Sequence, residues 1–130
     1  QQVFWLKLAI SNATADGATL FTVPTDVRGL FIHRVFWETG TAWTGGAASA
    51  IGVSSDDTNY NTKGDLLGGA GGDVAATLTA NKFTGGTVGA KFGSNGVVVL
   101  AAGKILRFDR ITSAFTAGTG FVWVECSILI

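Results

Sequence analysis

The chain is poor in the residues that staple, ligate or switch: 130 residues contain one Cys, one His, one Pro, one Tyr and no Met. Cys126 alone cannot form an internal disulfide, so the fold must hold without covalent cross-links, and an oxidising compartment has left no trace. Structural zinc is excluded too, because His33 and Cys126 are the only ligands of their kind. Without Met, Gln1 is not expected to be the translated start, and no targeting segment can be read. Charge is equally scarce. Charged residues make up 14% of the chain, and nine Lys and Arg balance nine Asp and Glu. The usual charged share is about 25%. With no positive excess to attract phosphates and release counterions, nucleic acid is not an expected partner. Nor is a membrane. Even the run Val97 to Ala102 is cut by Gly103 and Lys104, far short of the roughly eighteen residues a spanning helix needs. A transmembrane barrel would require regular alternating spans, which the Gly/Ala/Thr-rich middle lacks.

What is present is oily and glycine-rich: 47% hydrophobic residues and 19 Gly, with a mean hydropathy of +0.39. A chain of this length buries roughly two thirds of its unfolded surface around one core, so residues 1–130 are expected to form a single domain. A sparsely charged surface of zero net charge favours association, so the chain reads as a subunit covered by neighbours.

Period-two runs of β-branched and aromatic residues recur, and no dozen residues keep a helical period, which makes the class all-β. Val3 to Ile10 places Phe4, Leu6, Leu8 and Ile10 on a core face, with Val3, Trp5, Lys7 and Ala9 opposite. Asp16-Gly17 signals a turn into Ala18 to Val23, which Pro24 ends. Val27 to Glu38 sets Phe31, His33, Val35 and Trp37 against Leu30, Ile32, Arg34 and Phe36. Both faces are largely apolar, as in a central strand or one covered by another chain. Residues 39–86 form a loop-rich excursion, expected to hold one or two short strands and a helical turn near Thr62 to Leu67. Ser94-Asn95-Gly96 signals a hairpin joining Thr87 to Phe92 with Val97 to Ala101, and Ala102-Gly103 turns into Lys104 to Thr112. The closing run puts Val122, Val124, Cys126, Ile128 and Ile130 on one face, and Phe121, Trp123, Glu125, Ser127 and Leu129 on the other. These runs predict an antiparallel two-sheet β-sandwich of about eight strands, with a jelly roll among its topologies. Pairing the first and last strands with Lys7 opposite Glu125 sets Trp5 against Ser127, Val3 against Leu129 and Ala9 against Trp123, and puts the inward rows on one face.

Catalytic patterns are weak. His33 lies mid-strand, so a Ser-His-Asp set would have to be built from a strand interior, and a packed or interface histidine is the plainer reading. Asp57, Asn59 and Asn61 follow the opening spacing of a calcium loop, but Thr62 and Gly68 stand where Gly and Glu are required. Glu38 and Glu125 are the only glutamates and nothing signals a glycosidase pair. Gly68 to Gly72 lacks the Lys-Ser/Thr of a phosphate loop, and Asn12-Ala13-Thr14 is a glycosylation triplet without other signs of secretion. No cofactor is expected, and the chain is not expected to be an enzyme. The tryptophans say more. Trp5 and Trp123 lie on outward faces and Trp43 in a loop, and tryptophan is enriched both at interface hot spots and at sugar-stacking platforms.

Leu20-Phe21-Thr22-Val23-Pro24 before a long strand, Ala50-Ile51-Gly52, Asp65-Leu66-Leu67, the Ala102-Gly103 turn, and the closing Thr116-Ala117-Gly118-Thr119-Gly120-Phe121-Val122-Trp123-Val124 together resemble small virion proteins of tailed bacteriophages. The likeness is greatest to capsid decoration, or cement, proteins. It implies a β-sandwich on the capsid exterior, often a homotrimer, that binds the major capsid protein and ties neighbouring subunits together. Tail and fibre subunits share such patterns. The contact residues expected under this resemblance are Gln1, Gln2, Val3, Trp43, Ile51, Tyr60, Leu66 and Leu67. The alternative is a carbohydrate- or receptor-binding module that stacks sugars on Trp43 and Tyr60, with Asp56, Asp57 and Asn59 as hydrogen-bonding groups.

Overall fold

Alternating apolar residues at β1 (Val3–Ser11) and β11 (Thr119–Leu129) make two strands that each need a covered face, and they find it side by side. The computed structural model describes residues 2–45, 50–55, 65–67, 73–74, 82–84, 98–111 and 114–129, with backbone alone at 73–74, 82–84 and 111. Among these residues every element is a strand: β2 (Thr19–Thr22), β3 (Gly29–Thr39), β4 (Thr44–Gly45), β5 (Ala50–Ser55), β6 (Asp73–Val74), β7 (Lys82–Thr84), β8 (Val98–Ala101), β9 (Ile105–Ile111) and β10 (Phe115–Ala117) complete the set. One sheet runs β1-β11-β3-β7, with β8 also on β3; the second runs β2-β9-β5-β6; β4 and β10 form a small ribbon. All pairs are antiparallel, and four of them nest: first strand with last, second with β9, third with β8, and β5 with β6. A long hairpin rolled up on itself pairs this way, so the β-sandwich is wound as a jelly roll.

The core lies between the sheets. Leu30, Ile32, Val35, Trp37, Val122 and Val124 from the first meet Ile51, Val53, Leu106 and Phe108 from the second, all buried. The apolar face read for β1 holds, since Phe4, Leu6 and Leu8 pack against this cluster and Ile10 is buried in it. On β11 the inward row is Val122, Val124 and Cys126, while Ile128 is left exposed.

The predicted pairing of first and last strands is present, but its register differs by two residues. Lys7 lies opposite Trp123, Trp5 opposite Glu125, Val3 opposite Ser127 and Ala9 opposite Phe121. A two-residue shift keeps every side chain on its face, so burial alone does not distinguish the two registers. The long central strand departs further. Glu125 pairs with Arg34 but Cys126 pairs with Ile32, which leaves His33 as the extra residue of a β-bulge. Parity flips there, so Leu30 and Ile32 before the bulge and Val35 and Trp37 after it all point inward. Two apparently apolar faces thus resolve into one continuous core face and one outward face.

The loop-rich excursion contains β4, β5, β6 and β7. Every residue of β5 is buried. Leu67 forms a bridge to Val53, and the Leu66 and Leu67 N–H groups both donate to the Val53 carbonyl at 2.9 and 3.1 Å. Asp65 accepts from the Ser55 N–H at 3.1 Å, which pins this segment to the end of β5. Thr62, Ser94-Asn95-Gly96 and Thr87 to Phe92 lie outside the described residues. The Ala102-Gly103 turn is closed by Lys104 N–H donating to the Ala101 carbonyl at 3.1 Å, with Gly103 at φ +81°, and it carries the chain from the first sheet to the second.

Cys126 is fully buried, and burial, with a smaller push from Glu125, raises its thiol from 9.0 to about 11. The folded state therefore holds the thiol proton more tightly than the unfolded chain. This contribution is complete below pH 9, and stability is expected to fall as pH rises from 9 towards 11. In mildly alkaline buffer Cys126 is expected to resist a thiol reagent until denaturant is added; labelling of native protein at the rate of a free thiol would contradict this.

Candidate interaction surface

The outward face of the first sheet is built by three adjacent strands in fixed rows. Trp5, Glu125 and Arg34 form one row across β1, β11 and β3; Lys7, Trp123 and Phe36 form the next; Ala9, Phe121 and Glu38 form the third. The His33 bulge re-aims this face, placing Phe31 and His33 on it beside Arg34. Trp5 meets Phe36 and Trp123 edge to face, with ring centroids 5.6 and 6.3 Å apart. Cations cover the rings. Lys7 Nζ lies 4.2 Å from the Phe121 centroid and 5.3 Å from that of Trp123, and the Arg34 guanidinium 5.4 Å from Trp5 and 5.5 Å from Phe36. The Trp123 indole N–H donates to Glu38 Oε1 at 2.8 Å, and Arg34 faces Glu125 at 3.9 Å. The exposed Arg34–Glu125 pair adds little stability, and its value is in orienting the guanidinium. Val3 is 51% exposed, Trp5 40% and Val99 49%, so apolar area stays in water along two edges of the face.

His33 Nε2 and Ser127 Oγ are 2.9 Å apart, the hydrogen bond of a nucleophile and base. Ser127 is only 3% exposed and sits near the end of β11 beside the bulge. The pair acts as a cross-strand tie. A second polar group lies on β5 and β9. Buried Arg107 donates to the Ser55 carbonyl at 3.1 Å and to Ser54 Oγ at 3.4 Å, with Asp109 at 4.0 Å. These bonds satisfy a buried cation within the second sheet.

Of the contact residues read from sequence, Gln2 and Val3 are exposed, and Gln1 and Tyr60 lie outside the described residues. Trp43, Ile51, Leu66 and Leu67 are corrected: their side chains fill the chain's own core and are not on its surface. Trp43 packs edge to face on Phe115 at 5.1 Å, drawn in by the β4–β10 ribbon. Ile51 is central in β5, and Leu66 and Leu67 are held to Val53. The sugar platform imagined on Trp43 loses that ring. Asp56, Asp57 and Asn59 lie outside the described residues. Phe36, brought to Trp5 only by the strand order, is not among the contact residues expected from sequence; Phe121 shares the outward row of β11 with Trp123, and Lys7 lies over both. The signal was the alternation of aromatic and charged residues on the outward parity of three strands. Comparison with family models, curated proteins and solved structures finds no match for the chain.

Proposed function

We propose that this is a non-enzymatic virion structural protein that binds the outer surface of a capsid and stabilises it by bridging capsid subunits. The observation that carries the reading is the outward face of the five-stranded sheet, where aromatic rings, an arginine and partly exposed apolar residues form one continuous patch. Aromatic residues and Arg are the side chains enriched at protein interfaces, and they dominate binding energy there. Jelly rolls serve both as capsid and as lectin domains, so the fold alone does not choose between the readings. The ring faces favour capsid binding: Lys7 and Arg34 lie over them and the rings meet edge to face, which leaves less flat surface for a sugar to stack on. The partner proposed is the major capsid protein, and repetition of a homo-oligomer, a trimer on the resemblance, converts modest contacts into avidity.

Purified protein is expected to co-sediment saturably with undecorated shells. The double substitution Trp5→Ala/Arg34→Ala should weaken that binding by roughly tenfold or more. Saturable sugar binding on a glycan array, with no binding to shells, would overturn the proposal in favour of the carbohydrate-binding module.

A further inference from the structure

We infer that the free edge of β1 is a pairing site for β1 of a second copy of this chain, antiparallel about a two-fold axis at Leu6. The Asn12 N–H donates to the Gly118 carbonyl at 2.9 Å, in the same register that pairs β1 with β11. Hydrogen-bonded pairs in an antiparallel ladder recur every second residue, so Phe4, Leu6, Leu8 and Ile10 bond to β11. The N–H and C=O groups of Val3, Trp5, Lys7 and Ala9 then point away from it. Ser11, next in that series, has its N–H taken by Thr14 Oγ1 at 2.9 Å, so the open stretch ends at Ala9. Among the described residues no strand pairs with this edge.

Natural sheets guard long edges with proline, bulges or charges that project from them. β1 has no proline, its nine-residue register is unbroken, and its one charge, Lys7, is folded back over Phe121. The edge is therefore regular, apolar and unguarded. The occupant follows from which register the edge itself allows. A two-fold at Leu6 pairs Val3 with Ala9 and Trp5 with Lys7, in both directions, and so uses every open backbone group. It also sets each Lys7 opposite Trp5 of the other copy, which keeps the two lysines apart. Moving the axis to Lys7 would oppose two lysines, and moving it to Trp5 would set Ala9 against Gln1, before the first residue of β1. Such an interface is smaller than the standard protein interface, so pairing is expected to be weak and concentration-dependent. It depends on the edge geometry alone and is independent of capsid binding.

The test is sedimentation of the whole chain over a series from low micromolar to near-millimolar concentration, with amide hydrogen exchange read residue by residue. A mass that doubles with concentration is expected. The Val3, Trp5, Lys7 and Ala9 amides should slow by roughly tenfold or more with concentration, while the Ser11 amide stays unchanged. Ala9→Pro removes an outward N–H without touching a bond to β11; it should abolish the dimer and leave shell binding measurable. A mass that never doubles, a doubling in which these amides exchange freely, or protection only when a different chain is added would overturn the proposal.

Discussion

Replacing Gly118 with alanine is expected to destabilise the protein by about 3–5 kcal/mol, read from denaturant midpoints. Gly118 links β10 to β11 at φ +145°, a conformation that side chains rarely adopt. A Cβ there would also sit 2.7 Å from Trp43 Cγ and Cε3, well inside van der Waals contact. Trp43 cannot swing away, because its ring is buried against Phe115. Gly103→Ala is the control. Its φ of +81° carries the backbone cost, but nothing lies within 4 Å of the added methyl, so about 1 kcal/mol is expected. Equal losses at the two glycines would show that the Trp43 contact is not what constrains Gly118.

The second large effect separates two tryptophans. Trp37→Ala should cost about 3–5 kcal/mol, because it empties a large space in a close-packed core. Trp37 is 1% exposed at the middle of the first sheet, where β11 flanks β3 and the second sheet covers it. Trp5→Ala, on the outward face, should cost about 1 kcal/mol, since only ring edges and the Arg34 contact are lost. The two should invert in shell binding: Trp5→Ala weakens it, whereas the folded fraction of Trp37→Ala binds as the parent does. Urea titration with co-sedimentation at matched folded fractions checks both. A Trp5→Ala loss as large as that of Trp37→Ala would place Trp5 in the core.

Much of this arrangement can be read from local pattern. The strand class, the inward row of β1, that of β11 as far as Cys126, and the outward placing of Trp5 and Trp123 all follow from period-two alternation, because those stretches keep it without a break. β3 is not regular. A single bulge residue, His33, swaps the parity of everything after it, and nothing in the composition of Leu30 to Trp37 marks where the swap falls. The excursion misled for a different reason. Ile51, Leu66 and Leu67 are apolar islands among Gly and Asn, and an island reads alike whether it faces a partner or its own core. What decides is the bridge from Leu67 to Val53, a tertiary fact. The interaction surface was half legible: its tryptophans stood out and Phe121 shares the outward row of Trp123, but Phe36 and Arg34 become neighbours of Trp5 only through the order β1-β11-β3.

The nesting of the strands has a kinetic consequence. β11 lies between β1 and β3, and joins residues as far apart in the chain as Val3 and Ser127. Until β11 arrives, the edges of β1 and β3 that flank it have no shared partner, so the sheet cannot close before β11 has been made. Contacts of such long range make for slow folding, on the order of milliseconds to seconds for comparable all-β domains. During that interval the bare strands are open to the wrong neighbour, and high expression should drive the nascent protein into aggregates before it drives the finished protein there.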